Sequence, residues 1–154
     1  MINFGVIGYG YWGPNIVRNL EGIEGCSINV ICDQSPIARK RAQRAHPHLQ
    51  CVSDPMEIIT SSSIDAVAVI TPVWTHFELS KAALENGKHV FVEKPFTSNV
   101  RQAEELIQLA ERKKLKLMVD HTFLFTGAVR KIKQFLDDGT LGQLYYYDST
   151  RVNL

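Results

Sequence analysis

The sequence contains 154 residues, which is enough for one domain with a hydrophobic core and too few for two full domains. Hydrophobic residues make up 45% of it and charged residues 21%, as in an ordinary globular protein. The formal net charge of +1 gives no reason to expect binding to nucleic acid or to an anionic membrane surface. A membrane span and a signal peptide are not expected either, because no apolar run reaches roughly 18 residues and the N-terminus has the pattern of a strand.

Cysteine and histidine show no disulfide or metal pattern. Cys26, Cys32 and Cys51 are odd in number and form no C-x-x-C pair, so we expect reduced thiols in a cytoplasmic protein. The histidines have no metal-ligand spacing, and no metal site is predicted. A basic cluster within residues 39–44 has helical spacing, which favours a solvated helix face over a nucleic-acid-binding patch.

A glycine motif follows the first apolar run. Residues 2–7 suit a strand, and Gly8, Gly10 and Gly13 follow with the spacing G-x-G-x-x-G, before Pro14 opens a helical pattern. Gly8 allows a tight turn, Gly10 lets a pyrophosphate approach the backbone, and Gly13 lets the helix pack closely on the strand. The free N–H groups at the start of that helix would then face the phosphates.

An acidic residue at the end of the next strand strengthens this interpretation. Glycines at this spacing also occur in ordinary turns, but the strand over 28–32 ends in Asp33, about 20 residues after Gly13. In a dinucleotide-binding fold that carboxylate holds a ribose 2′-hydroxyl. Gln34 and Ser35, rather than an arginine, follow Asp33, which predicts NAD rather than NADP because the carboxylate would repel a 2′-phosphate.

Strands and helices alternate along the following residues. The predicted elements are a helix over 36–45, a strand over 49–52, a short helix around 56–59, a strand over 65–70, a helix over 75–86, a strand over 89–92, a helix capped by Ser98, and a strand over 115–119. This alternation predicts an α/β fold with a doubly wound, mostly parallel Rossmann sheet. Ligands bind such sheets beyond the carboxyl ends of the strands, where the sequence places Asp33, Thr71, Glu93, Lys94 and His121.

The last segment differs in character. A helix around 129–136 ends near Gly139, and a run over 143–152 that is rich in tyrosine and threonine predicts a strand with no partner in the sequence. We therefore divide the chain into a dinucleotide-binding domain over 1–122 and a segment over 123–154. That segment would hold the connecting helix and first strand of a truncated second α/β domain, so we expect the front part of a longer protein.

These features resemble the N-terminal half of the Gfo/Idh/MocA oxidoreductases over essentially the whole chain. Many nucleotide-binding enzymes share the glycine motif, whereas Glu93-Lys94-Pro95 after the fifth strand is much more specific. The resemblance implies an NAD-dependent dehydrogenase that transfers hydride between a sugar or nucleotide-sugar hydroxyl and the nicotinamide cofactor. The sugar assignment rests on the Gly-Tyr-Trp-Gly-Pro-Asn form of the turn, which contains Tyr11 and Trp12.

The resemblance assigns Lys94 a catalytic role, in which it lies beside the nicotinamide and exchanges a proton with the substrate alcohol. Removal of hydride from a carbinol leaves a carbonyl, so the hydroxyl proton needs an acceptor. A lysine beside a cationic ring loses its own proton more readily, because like charge and desolvation disfavour the ammonium form. The alternative is an exposed strand-end lysine paired with Glu93. The resemblance also implies a cis peptide between Lys94 and Pro95.

The same resemblance implies further cofactor contacts. Thr71, Pro72 and His76 match positions beside the cofactor, and His121 matches a position that faces the nicotinamide or the substrate. For His76 the alternative is a role in helix capping or packing. For His121 the alternative is a structural hydrogen bond. The candidate cofactor-binding residues are Gly8, Gly10, Tyr11, Trp12, Gly13, Asp33, Thr71, Pro72, His76, Glu93, Lys94 and His121.

The sequence departs from the family pattern in one respect. Family members complete the active site from a C-terminal domain that carries an Asp-x-x-x-His pair and most oligomer contacts, and these 154 residues contain no such domain. The resemblance thus implies a homo-oligomer formed through the missing domain, and a fragment that binds cofactor but is nearly inactive. A non-catalytic nucleotide-sensing or regulatory module is the alternative, although Lys94 counts against it. A third alternative is a protein that binds an adenosylated methyl donor on a similar glycine turn. It is disfavoured because Glu93-Lys94-Pro95 would have no role in such a protein.

Overall fold

The computed structural model describes residues 1–150 and 152. The chain divides into two compact units, Met1–Asp120 and His121–Leu154, close to the predicted boundary after residue 122. Each unit is described by itself.

The first unit is built on one six-stranded sheet. Its strands are β1 (Ile2–Ile7), β2 (Cys26–Cys32), β3 (Gln50–Val52), β4 (Ala66–Val69), β5 (His89–Val92) and β6 (Leu117–Val119). Their order across the sheet is β3-β2-β1-β4-β5-β6, and every pairing is parallel. This order confirms the predicted doubly wound Rossmann sheet, whose strand order reverses between β1 and β4.

Helices cover both faces of this sheet. They are α1 (Gly13–Glu21), α2 (Pro36–Ala45), α3 (Met56–Ile59), α4 (Val73–Glu85) and α5 (Val100–Lys113). Val67 of β4 packs in a core cluster with Leu84 of α4 and Leu106 of α5. Its neighbour Ala68 packs in a second core cluster with Val17 of α1. Because successive strand residues point to opposite faces, β4 is buried from both sides, as its continuous apolar run predicts.

The second unit contains a 3₁₀ helix at Thr122–Phe125 and helix α6 (Gly127–Asp137). The predicted strand over 143–152 is wrong for residues 143–150 and 152, which have no strand structure, while residue 151 lies outside the described residues. A strand is stabilised by hydrogen bonds to a neighbouring strand, and the described part of this unit contains none that this segment could pair with. Tyrosine and threonine content therefore did not suffice to form one.

None of the helices in the described part of the chain is long and apolar enough to cross a membrane.

Candidate cofactor and proton-transfer site

The parallel sheet brings the predicted site residues to one edge. Since all strands run in the same direction, the residues that follow β1, β2, β4 and β5 lie at their common carboxyl edge. Gly8, Asp33, Thr71 and Lys94 occupy these positions. The predicted ribose-binding acid and the predicted proton-transferring amine therefore share an edge, which one extended dinucleotide requires.

The glycine turn is closely packed at two of its glycines and open at the third. Gly8 has a φ of +103°, and a Cβ atom there would lie 2.5 Å from the carbonyl oxygen of Ile70. A Cβ atom on Gly13 would lie 2.5 Å from the carbonyl oxygen of Gly8. A Cβ atom on Gly10 would meet no protein atom within 4 Å. The protein thus needs Gly8 and Gly13 for its own packing, whereas the space beside Gly10 is open.

Asp33 is held by two backbone donors. Its Oδ2 accepts a hydrogen bond from the N–H of Tyr9 at 2.7 Å, and its Oδ1 accepts one from the N–H of Ser35 at 2.8 Å. Each carboxylate oxygen has a further lone pair. The side chain is therefore oriented beside the glycine turn and can still accept a hydrogen bond from a ribose hydroxyl.

Two arginines of α2 support this loop from the side. Arg41 donates hydrogen bonds to the carbonyls of Tyr9 and Gly10, and its guanidinium carbon lies 5.3 Å from the Tyr9 ring centroid. Arg39 donates to the carbonyls of Asp33 and Gln34 at 2.7 and 2.9 Å. The sequence predicted a solvated basic face, and Arg41 is exposed, but the contacts of these two side chains with the loops were not predicted. Helical spacing identified the face but gave no sign of the loops that pack against it.

Lys94 follows β5 and is open to solvent. The Lys94–Pro95 peptide is cis, which confirms that prediction. The Lys94 Nζ lies 3.8 Å from Oε1 of Glu93, and the Lys94 side chain is 66% exposed against 13% for Glu93. An ion pair with such an exposed partner contributes only about 0–1 kcal/mol to stability. The ion pair with Glu93 is thus present, but its contribution to stability is too small to account by itself for a lysine at this position.

His76 of α4 supports the turns from inside the protein. It is 1% exposed, its Nε2 lies 2.7 Å from the Thr71 carbonyl oxygen, and its Nδ1 lies 2.9 Å from the Pro95 carbonyl oxygen. These contacts connect the end of β4 with the Lys94–Pro95 turn. The packing role that the sequence left open for His76 matches this position, because a side chain so buried contacts backbone rather than a ligand.

Asp120 is a site residue that the sequence did not single out. It follows β6, is 7% exposed, and its carboxyl group lies close enough to that of Glu93 to share a proton in a hydrogen bond. Burial first, and then the hydrogen bond and charge of Asp120, raise the pKa of Glu93 to about 7, although Lys94 acts in the opposite direction. The Nε1 of Trp12 donates to Oδ2 of Asp120 at 3.4 Å. The signal in the sequence was an acid directly after a buried apolar strand.

The remaining predicted residues contribute in different ways. Tyr11 is 93% exposed and stacks on Trp12, which is 39% exposed. Pro72 is exposed and directly precedes α4. His121 belongs to the second unit, and its role toward nicotinamide or substrate stays a prediction.

Comparison with known proteins identifies the family. A family model described as "Oxidoreductase family, NAD-binding Rossmann fold" matches residues 2–121. The chain belongs to this family, the Gfo/Idh/MocA oxidoreductases. YdgJ, an uncharacterised oxidoreductase of Escherichia coli, is 36% identical over 149 residues, which cover 96% of this chain and 42% of that protein.

Two solved structures of the family contain bound cofactors. Scyllo-inositol dehydrogenase from Lactobacillus casei, with NAD(H) and scyllo-inositol bound, has a TM-score of 0.84 at 26% identity, covering 92% of this chain and 42% of that one. A mutant of the 3-ketoreductase KijD10 from Actinomadura kijaniata, with TDP-benzene and NADP bound, has a TM-score of 0.82 at 30% identity, covering 92% and 44%. The chain thus spans about two fifths of the length of these relatives.

The packing of the glycine turn predicts different effects of two alanine substitutions. We expect Gly13→Ala to lower the free energy of unfolding by about 1–3 kcal/mol, because its methyl group collides with the Gly8 carbonyl. Gly10→Ala is the matched control and should change stability by less than about 0.5 kcal/mol. Urea unfolding of the three proteins measures the difference, and equal stabilities of the two variants would contradict the packing argument.

The raised pKa of Glu93 predicts a pH dependence of stability. Between its ordinary value of 4.5 and about 7, the folded state binds the proton more tightly than the unfolded state. The stabilisation is therefore complete below pH 4.5 and is lost as the pH rises through 7, by at most about 3 kcal/mol. Glu93→Gln, which is uncharged at every pH, should lack this loss.

Urea unfolding across this pH range tests the prediction. The difference in unfolding free energy between wild type and Glu93→Gln should change with pH, in favour of the variant at high pH. Substitution of the exposed Glu24 by glutamine serves as the control and should leave the wild-type pH dependence intact. Parallel curves for wild type and Glu93→Gln would show that Glu93 titrates alike in both states.

Proposed function

We propose that this chain is the NAD-binding half of a dehydrogenase that transfers hydride between a sugar or nucleotide-sugar hydroxyl and the nicotinamide cofactor. The observation that supports this most is the common sheet edge of the open glycine turn, Asp33 and Lys94. Scyllo-inositol and TDP-benzene are bound by two relatives, so a ring polyol or a nucleotide-linked ring is the substrate class to test first.

The chain's own residues divide the work of cofactor binding. The diphosphate would lie against Gly10 and the N-terminal end of α1, where the helix dipole favours an anion. Asp33 would accept a hydrogen bond from a ribose hydroxyl, as its orientation by Tyr9 and Ser35 allows. When bound, the nicotinamide supplies the hydride acceptor or donor that no side chain provides.

Lys94 would perform the proton transfer. Its exposed amine stands at the end of β5, where it can take the hydroxyl proton as the alcohol is oxidised and return it in the reverse reaction. His76 would act through this group rather than on substrate, because it holds the carbonyl of Pro95 from within the protein. The substrate domain and any oligomer contacts stay predictions, since this chain is shorter than its relatives.

Cofactor selectivity is the first test. We expect calorimetric titration to show NAD binding at least about tenfold tighter than NADP, since the Asp33 carboxylate repels a 2′-phosphate. Asp33→Asn removes that charge, so it should weaken NAD binding and bring the two affinities closer.

Gly10→Ala is the matched control for this titration. Its methyl group narrows the space for the diphosphate, which NAD and NADP share, so both affinities should fall while their ratio stays unchanged. Equal wild-type affinity for the two cofactors, or no binding of either, would contradict the proposal.

Turnover by the full-length protein is the second test. We expect Lys94→Met to lower kcat by about 10²–10⁴-fold while the NAD affinity stays nearly unchanged, because the variant loses only the proton acceptor. The exposed Lys116 lies before β6, at the opposite edge of the sheet, so Lys116→Met is the control and should retain activity. Unaltered turnover by Lys94→Met would assign Lys94 a purely structural role.

A further inference from the structure

Two acidic side chains lie next to each other below Lys94. β5 and β6 pair in parallel with Val92 opposite Val119, so the next residues, Glu93 and Asp120, are neighbours at the carboxyl edge. The N–H of Asp120 also donates to the Val92 carbonyl at 2.8 Å. This register fixes two carboxyl groups side by side, and both are largely removed from solvent.

The pair needs a proton to satisfy its contacts. Oε2 of Glu93 is buried and has no hydrogen-bond partner among the described residues, and an ionised Asp120 beside Glu93 can only accept. A single proton between Glu93 and Asp120 converts this contact into a hydrogen bond. Burial and the neighbouring Asp120 charge raise the pKa of Glu93 to about 7. Near neutral pH the pair thus changes readily between holding one shared proton and holding none.

The two oxygens of Glu93 differ in their surroundings. Oε2 is the buried oxygen, whereas Oε1 lies 3.8 Å from the Lys94 Nζ. A small rotation of the exposed lysine shortens that distance to a hydrogen bond, and such contacts commonly tighten when substrate binds. Glu93 therefore stands between the amine and Asp120. Lys94 and Asp120 are the charged groups that act on it.

Trp12 and the backbone keep Asp120 in place. Its Oδ2 accepts a hydrogen bond from the indole Nε1 at 3.4 Å, and the indole is only partly exposed. The tryptophan belongs to the glycine turn, so the turn and the carboxyl pair are physically connected. An acid with a purely structural role needs no second acid beside it. Two adjacent, buried carboxylates repel each other, and this arrangement is costly unless they share a proton.

We propose that the Glu93–Asp120 pair accepts the proton that Lys94 takes from the substrate hydroxyl, and returns it during the reverse reaction. The proposal rests on the proposed dehydrogenase function. In this step an Nζ–H bond of Lys94 breaks and an O–H bond forms on Oε1 of Glu93. Lys94 changes from ammonium to amine, and the pair changes from two carboxylates to one carboxylic acid, Glu93, beside one carboxylate, Asp120. The step transfers no electrons, and the proton then leaves to solvent.

The first measurement needs no cofactor. Carbon-13 NMR of the side-chain carboxyls in the 154-residue chain follows Glu93 directly. We expect its signal to titrate near pH 7 and to move toward the ordinary glutamate range in Asp120→Asn, because that variant removes the neighbouring charge. A Glu93 that titrates as an ordinary glutamate in the wild type overturns the proposal.

The second measurement is the pH profile of kcat for alcohol oxidation by the full-length protein. Wild-type kcat should rise as the pH passes about 7, since only the fully ionised pair can take a proton. Asp120→Asn should shift this rise to lower pH, in parallel with the NMR midpoint. Glu93→Gln should remove the rise and lower kcat at least about tenfold with little change in KM, and Glu93→Asp should restore part of the activity.

The outcomes separate this proposal from the proposed function. If the wild type turns over substrate and Lys94→Met does not, while the kcat profile of Asp120→Asn matches the wild type, the pair is structural and the proposal fails. If the wild type neither binds NAD nor turns over substrate, the proposed function fails, and the proposal fails with it whatever the NMR titration shows. A shared structural defect would lower kcat without moving its pH profile, and amide spectra of each variant report on folding.

Discussion

No methyl group fits between the end of β1 and the carbonyl of Ile70, and the site depends on that restriction. The turn at Gly8 is possible because the residue has no Cβ atom and adopts a φ of +103°. Gly13 then packs against the Gly8 carbonyl and brings the first turn of α1 to the sheet edge. Because β1 lies between β2 and β4, the residues after those strands, Asp33 and Thr71, flank the same turn.

Much of the fold follows from local patterns in the sequence. The apolar run of β4 indicated burial on both faces, and the alternation of strands and helices predicted a parallel sheet with ligands at its carboxyl edge. The sequence-based predictions were wrong in two situations: where two neighbouring residues could fill the same position, and where an element needed a partner distant in the chain. Asn99, rather than the predicted Ser98, caps α5 by accepting from the N–H of Gln102, and either side chain suits that position. The strand predicted over 143–152 required a partner that no local pattern supplies.

The sequence predicted only those residues of the candidate site whose position follows directly from the end of their own strand. Asp33 and Lys94 are of this kind, because strand boundaries alone bring them to one edge. Arg41 reaches the glycine turn from the next helix but one along the chain, and Asp120 acquires its meaning from the register between β5 and β6. Such contacts depend on strand order and helix docking, which periodicity does not encode.

The two ends of the site differ in how they manage charge. At the glycine turn Arg41 donates to the carbonyls of Tyr9 and Gly10, so the positive charge there is permanent. At the ends of β5 and β6, one amine lies near two acids, and burial together with Asp120 raises the pKa of Glu93 to about 7. Permanent charge suits the holding of a diphosphate, whereas a group that gains and loses a proton near neutral pH suits chemistry in which a hydroxyl must lose one. In Glu93-Lys94-Pro95 the exposed lysine is the group that substrate would meet, and the buried glutamate connects it to Asp120, whose partner Trp12 belongs to the glycine turn.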